Sequence, residues 1–156
     1  MNIFDNFSKK IITKEDLIFY LEEINLVKRL IFKNINIPLS EKAKGKISEH
    51  FRKEIEKLEK NKIISKKPEK NQILFENFEK YLQNLPQIKI KIAFHAKEKF
   101  VNEISFWLEK EIKQKVILDL IFNPKIVGGA IIEYKGKQFN FSLAKKIDKL
   151  VLQKQL

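Results

Sequence analysis

Two histidines, His50 and His95, are the side chains of this 156-residue chain best suited to move a proton or hold a metal near neutral pH. Neither shares a convincing ligand face with a carboxylate, and no second histidine is close to either in sequence. Both read as packed or surface histidines. The carboxylates stand mostly among lysines on faces expected to be solvated, and no short motif marks a pair for acid–base work. Nucleophile-elbow, Walker and dinucleotide patterns are absent. There is no cysteine, which excludes disulfides and cysteine-type zinc sites. The residue types therefore point away from an enzyme, and no cofactor or metal is expected.

The informative residues are glycines. Three of the four, Gly128, Gly129 and Gly136, fall between Asn123 and Leu150. Glycine loses more backbone entropy on ordering than any other residue, so clustered glycines mark positive φ or close approach. Gly128-Gly129 has no glycine-rich continuation and no Lys-Ser/Thr, so it reads as a bulge or turn before a strand, not as a phosphate cradle. The run Ala130–Ile132 reads as that strand. Lys135-Gly136-Lys137 is a tight turn into a second strand over Gln138–Phe141. Ser142 is placed to cap a last helix with Leu143, Ile147, Leu150 and Val151 at helical spacing.

The elements that hold this piece are legible in order. Ile3, Phe4 and Phe7 lie on one side of a short amphipathic start. Thr13 opens a helix to about Lys33 with the stripe Leu17, Leu21, Ile24, Val27 and Ile31, widened by Leu30 and Phe32. Pro38 breaks it. Ser40 is expected to cap a second long helix to about Lys60, lined by Ile47, Phe51, Ile55 and Leu58, with Gly45 inside it costing about 1 kcal/mol relative to alanine. A polar loop over 61–70 and a third helix over 71–85 follow, with Leu74, Phe78, Leu82 and Leu85 inward, closed by Pro86. Then the period changes. Ile88, Ile90, Ile92 and Phe94 alternate with polar or small residues, as a half-buried strand does. A helix over 97–114 turns Phe100, Ile104, Trp107/Leu108 and Ile112 inward, and Val116–Phe122 is a second strand. The expected fold is α+β: an all-α helical bundle over 1–86, then a small β-α-β-β-β-α domain over 87–156. Strand–helix–strand favours a parallel pair, and the hairpin extends the sheet antiparallel. Phe106 and Trp107 are neighbours on a helix and cannot both face one core. An exposed one is a candidate anchor for a partner.

Net charge is +12, with residues 1–85 at +5 and 86–156 at +7. A field spread so evenly suits a solvated surface or an acidic partner better than a nucleic-acid groove. No apolar run approaches the roughly 18 residues that span a bilayer. The start MNIFDNFSKK lacks the pattern of a signal peptide. The chain is expected to be soluble and to meet a membrane only through a partner.

Pro124, Ile126, Gly128-Gly129, an apolar strand, Gly136, then Asn140-Phe141-Ser142-Leu143 and a basic amphipathic helix resemble the C-terminal signature of the delta subunit of F-type ATP synthases, the counterpart of the oligomycin-sensitivity-conferring protein. Asn140 and Phe141 stand where that family has Asp-Gly, and asparagine still makes the local side chain to backbone bonds of such a turn. The resemblance covers about residues 87–153. Residues 1–85 look like a shortened form of the family's six-helix N-terminal domain. The resemblance implies a non-catalytic stator subunit on the cytoplasmic side of the membrane. Its helical domain would grip N-terminal helices of alpha subunits, and its second domain would hold the C-terminal helices of the b-subunit stalk. Lys145, Lys146 and Lys149 would then offer charge to an acidic partner helix. Two other readings use the same features. A small basic RNA-binding protein would stack bases on strand aromatics such as Phe139 and Phe141. A peripheral-stalk E subunit of an A/V-type ATPase also has a Gly-Gly strand, but needs a long coiled-coil helix that Pro38 and Pro68 oppose.

Overall fold

A computed structural model of the chain describes residues 4–126 and 128–140. Its elements are α1 (Asp5–Ser8), α2 (Lys14–Ile31), α3 (Leu39–Lys42), α4 (Glu49–Lys60), α5 (Pro68–Gln83), β1 (Gln87–Ile92), α6 (Glu98–Ile112), β2 (Ile117–Phe122), β3 (Ala130–Tyr134) and β4 (Lys137–Asn140). The fold is α+β. The chain forms two units. One takes in Glu15–Asn84 with the residues up to Ile11, and the other takes in Ile12–Lys14 and the chain from Leu85 onward.

The helical unit closes around aromatic rings. Phe7 meets Phe78 at 4.9 Å and Phe51 at 5.6 Å between centroids, and Tyr20 meets Phe51 at 5.8 Å. Ile24, Ile55, Phe75 and Leu82 complete a core whose members recur every three or four residues along α2, α4 and α5. The helix expected from Ser40 to Lys60 is two helices. Gly45 takes φ +71°, a left-handed conformation that no helix contains, and α3 ends before it at Lys42. The N-cap role passes to Ser48, whose side chain accepts from the Phe51 N–H at 3.3 Å. Ser40 is buried instead, and its hydroxyl and N–H both donate to Glu59. The third helix begins at Pro68, earlier than expected, because proline at N1 forfeits an N–H that has no helical partner there. Asn71 is therefore inside α5, and its amide both donates to and accepts from the Ser65 backbone, fastening the loop ahead of the helix.

In the second unit the strand order is β2-β1-β3-β4. β1 and β2 are parallel with Ile90 opposite Leu120, and β3 and β4 add antiparallel strands. Successive strand residues point to opposite faces. One face, with Ile88, Ile90, Ile92 and Leu118, packs with Leu108, Ile104 and Phe100 of α6. Leu108 is thus the inward member of the Trp107/Leu108 pair. The β3–β4 turn has Lys135 at φ +48° and Gly136 at +72°, the two positive angles of a type I′ hairpin turn. The edge of β2 is extended by residues ahead of α2. The Leu118 N–H donates to the Ile12 carbonyl at 2.8 Å, Thr13 forms a parallel bridge with Leu118, and Lys14 reaches Asp119 at 3.3 Å. Ser142 and the last helix, with Lys145, Lys146 and Lys149, lie outside the described residues, as does Phe141.

Candidate partner-binding surfaces

The glycine stretch is a scaffold. Asn123 opens a turn in which its carbonyl accepts from the Ile126 N–H at 3.2 Å, its side chain accepts from the Lys125 N–H at 3.0 Å, and Pro124 takes the corner. The Asn123 N–H in turn donates to the Ile92 carbonyl at 2.8 Å, fixing the turn to the end of β1. Ile126 is buried, and Gly128 and Gly129 follow at φ +70° and +80° before β3 starts at Ala130. Gly136 forms the hairpin turn, and Asn140 ends β4. Each residue of the signature that the structure describes shapes backbone, and none points to chemistry.

Contact surface lies elsewhere. Both Phe106 and Trp107 face outward from α6, exposed at 73% and 53%. The stripe of α6 runs through Val101, Ile104, Ser105, Leu108 and Ile112, which leaves positions 106 and 107 on the far side. An aromatic side chain buries 150–250 Å² when covered, so this pair is a compact apolar surface on a rigid helix.

The helical unit has two more. Along α2, Ile18, Phe19 and Leu26 are exposed, and a groove of about 230 Å³ runs from Phe19 and Leu26 to Ile47. At another place the loops after α2 and α4 form a groove of about 590 Å³, lined by Ile31, Ile35, Ile37, Pro38, Ile64 and Pro68. By sequence those loops have the proline of a break and the polar residues of a spacer. Their signal was visible in the isoleucines at 35, 37, 63 and 64, because loops exposed to water seldom carry so many.

Buried polar groups have structural work. Glu23 is 3% exposed and accepts from the Ser48 N–H and, at 3.0 Å, from the Ser48 hydroxyl. In a capping box the acid comes from the third residue of the capped helix. Here that residue is Phe51, and α2 supplies the acid in its place. Burial raises the Glu23 carboxyl above its ordinary range, against the two Ser48 hydrogen bonds that lower it. Burial, with Glu23, Asp16 and Glu54 nearby, also pushes the Tyr20 hydroxyl up to about 12. His50 stands 6.4 Å from the Tyr20 ring with its Nε2 buried and unpartnered. Burial holds its pKa down, with Lys10 adding to the effect. His95 stacks on Phe122 at 4.4 Å. Among the described residues no cluster of three or more histidine, aspartate or glutamate side chains could hold a metal ion.

The second face of the sheet mixes charged residues with Ile117, Ile121 and Ile131. Lys89 and Lys91 of β1 meet Glu133 of β3 at 3.8 and 2.6 Å. No described aromatic lies on that face, since the register puts Phe139 beside Ile132 on the side α6 covers. The aromatic platform that base stacking requires is not built there.

Residues 33–153 match the family model described as the ATP synthase delta (OSCP) subunit. No curated protein matches the chain. Among solved structures, a chain of the cryo-EM structure of the Polytomella F-ATP synthase, in primary rotary state 3, is 19% identical with a TM-score of 0.40. The match covers 46% of this chain and 92% of that one.

Proposed function

The chain belongs to the ATP synthase delta (OSCP) subunit family, and on that premise we propose that it ties the catalytic hexamer to the membrane-anchored stalk. Family membership makes it a structural, non-catalytic subunit of an F-type ATP synthase, part of the peripheral stalk. In the proposed arrangement the helical domain expected over residues 1–86, which holds the helical unit, binds N-terminal helices of alpha subunits. The second domain, residues 87–156, holds the C-terminal helices of the b stalk, with Phe106 and Trp107 as anchors and Lys145, Lys146 and Lys149 as the complementary charge. A stator must grip two bodies that torque drives apart, and it needs apolar anchors on rigid elements for both. No helix among the described residues is long and apolar enough to cross a membrane. Attachment through the b stalk, on the cytoplasmic side, supplies the membrane link in this reading.

The family match over residues 33–153 carries the proposal, because it runs through parts of both units. The test is titration of the full chain with an alpha N-terminal peptide and with the C-terminal segment of b, at two salt concentrations. The two are expected to bind without competing. Trp107→Ala is expected to weaken b and leave alpha unchanged. Binding of neither, alongside salt-sensitive binding of RNA, would replace the stator with a nucleic-acid reading.

A further inference from the structure

Polar residues on the second face of the sheet form one row across all four strands. Lys89 of β1 pairs with Asp119 of β2 on one side and with Glu133 of β3 on the other, and Glu133 pairs with Gln138 of β4. Residues directly opposite each other point to the same face, so these four side chains stand side by side. Lys14 closes the β2 end of the row, 3.3 Å from Asp119. Lys135 and Lys137 flank Gly136 in the hairpin at the other end. These residues line a basin of about 500 Å³ in the second unit, a volume within the range of small-ligand sites.

The charges of the basin do not cancel. Its lining sets Lys14, Lys89, Lys135 and Lys137 against Asp119 and Glu133. Both acids are engaged. Asp119 accepts from Lys14, and Glu133 accepts at 2.6 Å from Lys91, which lies outside the lining. Lys89 reaches Glu133 only at 3.8 Å, too far for a hydrogen bond. Lys135 and Lys137 make no ion pair among the described residues. Three ammonium groups therefore meet at one concavity without a hydrogen-bonded carboxylate. Apolar docking has little to cover there. Tyr134 brings the one aromatic ring to the described lining, and the Lys135 ammonium lies 5.3 Å over it.

We propose that this basin binds a short phosphate chain, either the di- or triphosphate of a nucleotide or an inorganic oligophosphate. Lys89, Lys135 and Lys137 meet its oxygens. A terminal phosphate carries about two negative charges near neutral pH. An ammonium holds phosphate as a point charge and needs no planar fork. A chain of two or three phosphates concentrates its charge within one basin, whereas an acidic peptide spreads single charges along its length. The site is independent of the stator reading and adds a ligand to it.

The test is calorimetric titration of the full chain with tripolyphosphate, ATP and orthophosphate, without magnesium and at about 0.15 M salt, where exposed charges are screened beyond about 8 Å. Tripolyphosphate is expected to bind one to one, at least tenfold more tightly than orthophosphate. Lys89→Gln should weaken it about tenfold, the loss of one charge-assisted hydrogen bond. Lys135→Glu/Lys137→Glu should weaken it at least thirtyfold. Lys66→Glu/Lys67→Glu makes the same change of net charge in the helical unit and should leave binding unchanged. All five lysines are open to solvent, and unchanged thermal unfolding confirms that the variants fold. ATP as tight as tripolyphosphate supports a site that reads phosphates alone. ATP tenfold tighter supports the same site with a nucleotide as the source of the chain. Equal weakening by the two charge reversals would overturn the proposal, as would a glutamate-rich peptide that binds through Lys89 where tripolyphosphate does not.

Discussion

Glu23→Ala and Glu23→Gln separate the two things that carboxylate does. It completes the cap of α4 from another helix, and it carries a charge that burial penalises. Alanine removes both acceptors and leaves the half-buried Ser48 N–H without its protein partner. A buried polar group left unpaired costs about 1–3 kcal/mol, and the relief of charge burial offsets part of that loss. The expected destabilisation is about 2 kcal/mol, or a fall in Tm of about 4–8 °C for a chain of this size. Glutamine keeps an acceptor for the Ser48 N–H and a donor for its hydroxyl oxygen, so its effect should stay within about 1 kcal/mol. The pH dependence gives a second reading. The folded pKa lies above the unfolded one, so the folded state binds the proton more tightly. Stability therefore falls as pH rises from the unfolded value of 4.5 through the folded value, and it recovers on acidification. Urea unfolding followed by circular dichroism at pH 5 and pH 7 measures both. Glu23→Gln should lose this contribution to the slope. Equal losses for alanine and glutamine would show that the charge itself holds α4, and the capping argument would be wrong.

Gly45→Ala meets no atom within 4 Å of the new Cβ, so its effect is backbone strain alone. With φ at +71° the left-handed penalty of about 1–2 kcal/mol exceeds the unfolded-state entropy gained, and urea unfolding should show a net loss of about 1 kcal/mol. His50→Phe should reduce acid sensitivity below pH 6.5. The folded pKa of His50 is held below 6.5, so its neutral form contributes stability above that value and loses it as pH falls through it. Measured in the Glu23→Gln background, the His50 slope is free of the opposing one. Trp107→Ala should leave thermal unfolding nearly unchanged, because the side chain is 53% exposed, yet weaken binding of the b segment by about 2 kcal/mol, some thirtyfold.

What could be read in the sequence followed from local periodicity. Ile88, Ile90 and Ile92 alternate with lysines because one sheet face meets α6 and the other does not, and that pattern survives without knowing the partner strand. Lys135-Gly136 announced its turn because few two-residue pairs accept two positive φ angles. Local pattern and structure part where a distant group decides a local choice. Ser40 and Ser48 are both good caps by type, and Glu59 and Glu23 determine which one is free to act. Trp107 and Leu108 fit the stripe of α6 equally well until the sheet selects Leu108. The loop isoleucines gave a compositional signal, but an interaction surface has no period to detect.

The pairing of residues 12–14 with the edge of β2 also has a consequence in time. Lys14 and Asp119 are 105 residues apart. At a synthesis rate of about 5–20 residues per second, several seconds to some twenty pass between the two ends of that contact. Through that interval Thr13 has no strand to join. Even after β1 and β2 pair, the edge at Leu118 stays open until the earlier segment returns to it. Closing so long a loop comes late, because its entropy must be spent before the contact gives anything back. An unpaired edge is the part of a sheet most exposed to the wrong neighbour. A nascent chain of this kind is therefore most vulnerable after its second strand has formed, and a fragment that begins at residue 87 would remain in that condition permanently.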